Sequence, residues 1–192
     1  VTSSGKNKHF DVNATGISHG DYPTPYDEYE ESGKGDIYSD TLYNLEGATL
    51  DNYKKVDTAS LVNASAFNNY GTSSQLSADI ITNTASIRNE GSIGAAGDRV
   101  GKFINDGASS VVNNLGTTYA DELYTLNSAT FNNTGVVDTN TLANAANFNN
   151  YGSGSQLLAS VVSNTGILTN EGSVGTDSTH VINFINTGSS AN

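Results

Sequence analysis

The sequence predicts an all-β fold, a β-solenoid of about seven to eight coils, and three observations carry that prediction. The first is an internal echo at a constant offset of 81 residues, which returns Phe67-Asn68-Asn69-Tyr70-Gly71 as Phe148-Asn149-Asn150-Tyr151-Gly152. The second is a shorter motif of apolar residue, any residue, Asn, any residue, Gly, recurring mostly every 16 to 20 residues. The third is the near absence of helical periodicity. Apolar residues come instead in strand-length runs such as Ile80-Ile81 and Val161-Val162, flanked by Asn, Ser and Gly turn formers.

The duplication runs from about 42–110 to about 123–191. Leu42-Tyr43-Asn44-Leu45 matches Leu123-Tyr124-Thr125-Leu126, Asn89-Glu90-Gly91-Ser92 matches Asn170-Glu171-Gly172-Ser173, and Phe103-Ile104-Asn105 matches Phe184-Ile185-Asn186. No insertion or deletion interrupts the match. An offset of 81 residues is four coils of about 20 residues, and a duplication of whole coils keeps the strand register intact.

The short motif begins at Phe67, Ile87, Phe103 and Val112 and again at Phe131, Phe148, Leu168 and Phe184, with Leu50-Asp51-Asn52 as a degenerate member. In a coil the apolar residue points inward, and the Asn two positions later shares its face. Stacked about 4.8 Å apart, such asparagines donate and accept along the axis. The expected ladder is Asn69, Asn89, Asn105, Asn114, Asn133, Asn150, Asn170 and Asn186. Glycine then supplies the positive φ of the next bend. The alternative is an antiparallel β-sandwich in which Asn-x-Gly marks exposed hairpin turns.

Composition narrows the function. Lys and Arg number 8 against 20 Asp and Glu, a net charge of −12, so no nucleic-acid backbone is an expected partner. No apolar run is long enough for a transmembrane segment. Cysteine is absent, which removes thiolate metal sites, disulfides and cysteine nucleophiles. Cys, Met and Trp, all easily oxidised, are each absent, which fits a secreted or cell-surface location. The chain starts at Val1, consistent with a removed leader or an excised domain.

Residues 1–40 lack the motif and form a separate acidic, Tyr-rich N-terminal cap or assembly arm ahead of the solenoid at 41–192. Pro23 and Pro25 bias the stretch between them to extended geometry. His19, Asp21, Glu28 and Asp36 are candidate metal ligands there, and an oxygen-rich set of that kind suits Ca²⁺. At the other end Phe184, Ile185 and Asn186 are followed by no polar capping element, and an uncapped coil is a template for another β edge. They are the candidate assembly residues of a homo-oligomer or polymer.

No catalytic constellation stands out, and the chain is not expected to be an enzyme. Asp57 and Glu90 recur as Asp138 and Glu171, as coil-position residues would. Asp79, Asp98 and Arg99 occur in one copy only and are the best enzyme candidates. Gly94-Ala95-Ala96-Gly97 reads as a turn. The apolar-x-Asn-x-Gly texture over about 42–191 resembles the β-solenoid shafts of filamentous haemagglutinins and autotransporter passengers, and Asn/Gly-rich prokaryotic filament or sheath subunits. The resemblance implies a structural or adhesive surface role. Three functions follow as expectations: first, a structural subunit of an extracellular filament, sheath or surface layer. The second is an adhesin binding glycan or protein, with Tyr70 and Tyr151 as stacking platforms, and the third is a polysaccharide-active enzyme.

Overall fold

The computed structural model describes residues 35–176 and 181–188 and the backbone of Thr2–Ser3 and Lys8–Asp11. Among these residues every element is a strand. The strands form two parallel sheets of 11 and eight strands, joined by corners into about seven coils. Every strand pairing among them is parallel, and the one antiparallel contact is the isolated bridge between Ala95 and Asp98. The antiparallel sandwich is thereby excluded: its hairpins would pair neighbouring strands in opposite directions.

Each coil has a long strand and then a short one, as in Lys55–Asn63 followed by Ala66–Asn69. The long strand bends midway. In Lys55–Asn63 the inward residues are Val56, Thr58, Leu61 and Asn63, so Ala59 and Ser60 both face outward and the alternation slips by one. Small residues line the inside of that bend, with Thr58, Ala78, Ala120, Thr139 and Ala159 buried. Thr58 Oγ1 donates to the Ser60 carbonyl at 3.0 Å, and its copy Thr139 donates to the Thr141 carbonyl at 3.0 Å. The hydroxyl satisfies a backbone group that the bend would otherwise leave without a partner.

The offset of 81 residues is four coils in the structure. Asn44 pairs with Asn63, Asn63 with Asn83, Asn83 with Asn105, and Asn105 with Thr125, the duplicate of Asn44. One coil of the first copy is uneven. Leu76 lies against Ile93 but Ile81 against Phe103, so extra chain enters between Ile93 and Val100. It leaves as a small outward loop closed by Ala95 N–H to the Asp98 carbonyl at 2.8 Å, which makes Gly94–Gly97 the turn expected of it. The first long strand is Ile37–Asn44, inside the stretch assigned to the N-terminal cap, and ahead of it Thr2–Ser3 and Lys8–Asp11 already add parallel strands to the two sheets.

The core is three apolar columns running up the axis. Leu42, Leu61, Ile81, Phe103, Leu123 and Leu142 make one, and Phe67, Ile87, Val112, Phe131 and Phe148 another. Val56, Leu76, Ile93, Val137 and Leu157 make the third, with Thr118 interposed between Ile93 and Val137. Phe131 stacks on Phe148 at 5.2 Å between ring centroids and meets Phe103 edge-on at 6.0 Å. These inward residues fix the register: a one-residue slip would turn every apolar side chain out to water.

Candidate functional site

The predicted asparagines divide between two ladders, one at each end of the short strand. Asn69, Asn89, Asn114, Asn133, Asn150 and Asn170 close the short strands and are joined by Asn52. Their Nδ2 atoms donate to the next Oδ1 at 2.6 to 2.8 Å without a break from Asn52 to Asn170. Asn105 and Asn186 belong instead to the long-strand ends, with Asn44, Asn63, Asn83, Asn144 and Asn164, all five absent from the expected ladder. The single eight-member ladder expected from sequence is therefore corrected to two.

An amide in the middle of the short-strand ladder does three things. Asn114 Nδ2 donates to Asn133 Oδ1 at 2.8 Å and to the Val136 carbonyl at 2.9 Å, while its Oδ1 accepts from Asn89 at 2.7 Å. The carbonyl belongs to the residue just past the next corner, so the amide ties coil to coil and also pins the turn. Donors and acceptors are matched in a site closed to water, where an orphaned polar group would cost about 1–3 kcal/mol.

The long-strand ladder has one gap. Thr125 stands where its copy has Asn44, its Oγ1 has no hydrogen-bond partner, and Asn105 Nδ2 donates to the Thr130 carbonyl at 2.8 Å instead of to a neighbouring amide. Thr125→Asn is expected to join the two segments and add about 1–2 kcal/mol of stability, on the order of 1 kcal/mol per new bond. A chemical-denaturation midpoint no higher than that of the parent would show that the slot cannot accept the amide.

Half of the motif glycines work as expected and half do not. Gly71 and Gly152 have φ of +80° and +82°. Gly116 and Gly135 have no positive φ; a Cβ there would run into the backbone carbonyl of the glycine one coil below, Gly91 and Gly116 respectively. These corners need glycine for closeness of approach rather than for handedness.

The repeated carboxylates take matching places. Glu90 accepts the Gly71 N–H at 3.0 Å, and Glu171 accepts the Gly152 N–H at 3.0 Å. That N–H, with the Arg88 guanidinium beside it, holds the Glu90 carboxyl below the usual range. Arg99, the single-copy candidate, is directed at neither Asp79 nor Asp98. Its guanidinium donates to the Ala120 carbonyl at 3.0 Å and to Asp138 Oδ1 at 2.9 Å, with Asp121 at 3.3 Å. It clamps the outward loop of one coil to the next two.

His19, Asp21 and Glu28 lie outside the described residues. Asp36 accepts the Lys55 N–H at 3.2 Å and the Tyr38 hydroxyl at 3.4 Å. Among the described residues no group of three or more His, Asp or Glu is placed to hold a metal. Tyr70 stacks on Tyr53 at 5.4 Å, and Tyr151 is exposed in the same corner column. Phe184, in the column of the fully buried Phe103, is 51% exposed, and Ile182 and Ile185 beside it are exposed as well. Compared with known protein families, curated proteins and solved structures, the chain finds no match.

Proposed function

We propose that the protein is a structural subunit of an extracellular filament, sheath or surface layer that grows by stacking solenoid ends. The observation that carries this reading is the parallel stack itself, with an amide ladder unbroken from Asn52 to Asn170, a one-dimensional array that a further parallel edge extends without change of register. A parallel sheet edge of that kind carries a row of N–H and C=O groups waiting for a strand. A head-to-tail contact through it repeats without closing, which yields a fibre or a hoop. The acidic surface, net charge −12, keeps sides apart while ends meet. Oxidation-resistant composition suits a location at the cell surface or beyond it.

Electron microscopy and sedimentation of the purified chain test the reading. Unbranched fibres or rings whose repeat lies along the solenoid axis are expected. A chain that stays monomeric from micromolar to millimolar concentration would sink it.

A second reading has its own observation. The Tyr53–Tyr70 stack, in which Tyr53 is exposed and Tyr70 half-buried, with exposed Tyr151 further up the same corner, offers aromatic surface to a glycan. Glycan-array binding that is lost in Tyr70→Ala would favour an adhesive role.

A further inference from the structure

Counting Ile37–Asn52 as the first coil, the fifth is Thr117–Leu126 followed by Thr130–Asn133, and it departs from its neighbours in three places. At the end of its long strand Thr125 stands between Asn105 and Asn144, and its hydroxyl bonds to neither. At the start of the same strand Thr118 takes a place in an apolar column, between Ile93 and Val137. At the corner beyond, Asn127 and Ser128 have φ of +49° and +66°, the two non-glycine residues with left-handed backbone among the described residues. The copy of Ser128 is Gly47, with φ of +82°. A side chain is strained in that region where glycine is not.

Elsewhere an amide bond ties each coil to the next at the long-strand end. Asn44 bonds Asn63, Asn63 bonds Asn83, Asn83 bonds Asn105, Asn144 bonds Asn164 and Asn164 bonds Asn186, all at 2.6 to 2.8 Å. Coil five has that bond on neither side. Of the two ladders it keeps only the short-strand one, through Asn133 to Asn114 and Asn150. Thr125 Oγ1 and Ser110 Oγ, at the corner of coil four, are also the two buried side-chain polar atoms without a partner among the described residues. Each such group costs stability where it lies. In a stack whose repeats touch only their neighbours, stability is a sum of neighbour terms, and the sum is smallest here.

One side chain crosses both weakened interfaces. Arg99, just ahead of Val100 in coil four, donates to the Ala120 carbonyl of coil five at 3.0 Å, with the Asp121 carboxylate of the same coil at 3.3 Å. It reaches past them to coil six, where it donates to the carbonyl and carboxylate of Asp138 at 2.6 and 2.9 Å. Bonds from a guanidinium are among the stronger ones a side chain makes.

We infer that coil five is the point at which the solenoid opens, and that Arg99 is the latch holding it shut. Thr117–Leu126 and the corner after it leave first. Thr130–Asn133 stays, held by its ladder and by the Phe131 ring against Phe103 and Phe148. Force along the axis passes through every interface in series, so a shaft under tension yields here before elsewhere. The coils concerned lie inside one chain, and the latch does not depend on end stacking. It does depend on salt: Asp121 and Asp138 are 49% and 34% exposed, where screening reaches them, whereas the ladder amides are neutral.

Hydrogen exchange on the purified chain reads opening coil by coil. In the unsubstituted protein, amides of Thr117–Leu126 are expected to exchange faster than those of Lys55–Asn63. Arg99→Ala should quicken them about tenfold or more, through the loss of bonds to a charged group, and leave Lys55–Asn63 unchanged. Adding Thr125→Asn should reverse that gain by supplying the amide missing between Asn105 and Asn144. Between about 0.1 and about 1 M sodium chloride, exchange in coil five should rise in the parent and not in Arg99→Ala. An equal rise in every coil of Arg99→Ala would overturn the proposal, since the solenoid would then open only as a whole. Exchange in coil five as slow as in Lys55–Asn63, before and after the substitution, would overturn it too. So would a rise that Thr125→Asn leaves untouched. Should Arg99→Ala fail to fold, Thr125→Asn alone keeps the test: it should slow exchange in coil five below the parent's, and no slowing counts against the opening point.

Discussion

Asn114→Ala is expected to destabilise the fold by about 3–5 kcal/mol, while Asn113→Ala, one residue earlier on the same strand, should cost under ~1 kcal/mol. The two side chains share a type and differ in the face they occupy. Asn114 is fully buried and sits in the middle of the unbroken ladder, bonded to Asn89, Asn133, Val136 and the Thr118 hydroxyl. Truncation leaves a donor on Asn89, an acceptor on Asn133 and the Val136 carbonyl short of partners in a buried space, where a single water can restore only part of the geometry. Several such losses at about 1 kcal/mol or more each make up the total, with a cavity cost added. Asn113 faces outward, where it accepts one bond from Asn132 at 3.0 Å and water can replace it. Urea denaturation of both variants measures the contrast. A difference below about 1 kcal/mol would mean that the ladder contributes register and not stability.

Much of this fold was legible because stacking makes neighbours out of residues at a fixed sequence distance. The 81-residue echo, the winding strands and the asparagines at 69, 89, 114, 133, 150 and 170 all follow from that. The split into two ladders was not legible. Phe103-Ile104-Asn105-Asp106-Gly107 could not be told from the short-strand motif, because its glycine happens to stand at the other corner. Asn44, Asn63, Asn83 and Asn144 were passed over for the opposite reason, since no glycine follows two positions later. Asn164 does have its glycine, and Val162-Ser163-Asn164-Thr165-Gly166 fits the motif in full. The signal that finds all five is apolar-x-Asn in register with Phe103-Ile104-Asn105, as in Leu42-Tyr43-Asn44 and Leu61-Val62-Asn63. Arg99 looked like chemistry because it is unique to one copy. In the structure it ties the outward loop beside it to Asp138, two coils on, a pairing that sequence spacing does not reveal.

Gly116→Ala should cost roughly 3 kcal/mol or more, with Gly135→Ala alike, and Gly97→Ala should be close to neutral. Each adds one methyl group. At Gly97 the added carbon meets nothing within 4 Å, and the loop can absorb it. At Gly116 it would overlap the Gly91 carbonyl and the Glu90 backbone of the coil below. Those atoms are not a flexible side chain that can swing aside. The Gly91 carbonyl accepts the Thr117 N–H at 2.9 Å, and the Glu90 stretch is set by the ladder residue Asn89 just before it. Relief therefore requires two coils to separate at the corner, which lengthens the Asn89–Asn114 bond as well. The corner and the ladder are coupled, so the damage in Gly116→Ala/Asn114→Ala should fall short of the sum of the single losses by about 1 kcal/mol or more. Thermal and urea unfolding of the four proteins, parent included, tests both points. Full additivity would show that the close approach at Gly116 and the amide contact beside it are independent, and that glycine is at this corner for reasons other than coil spacing.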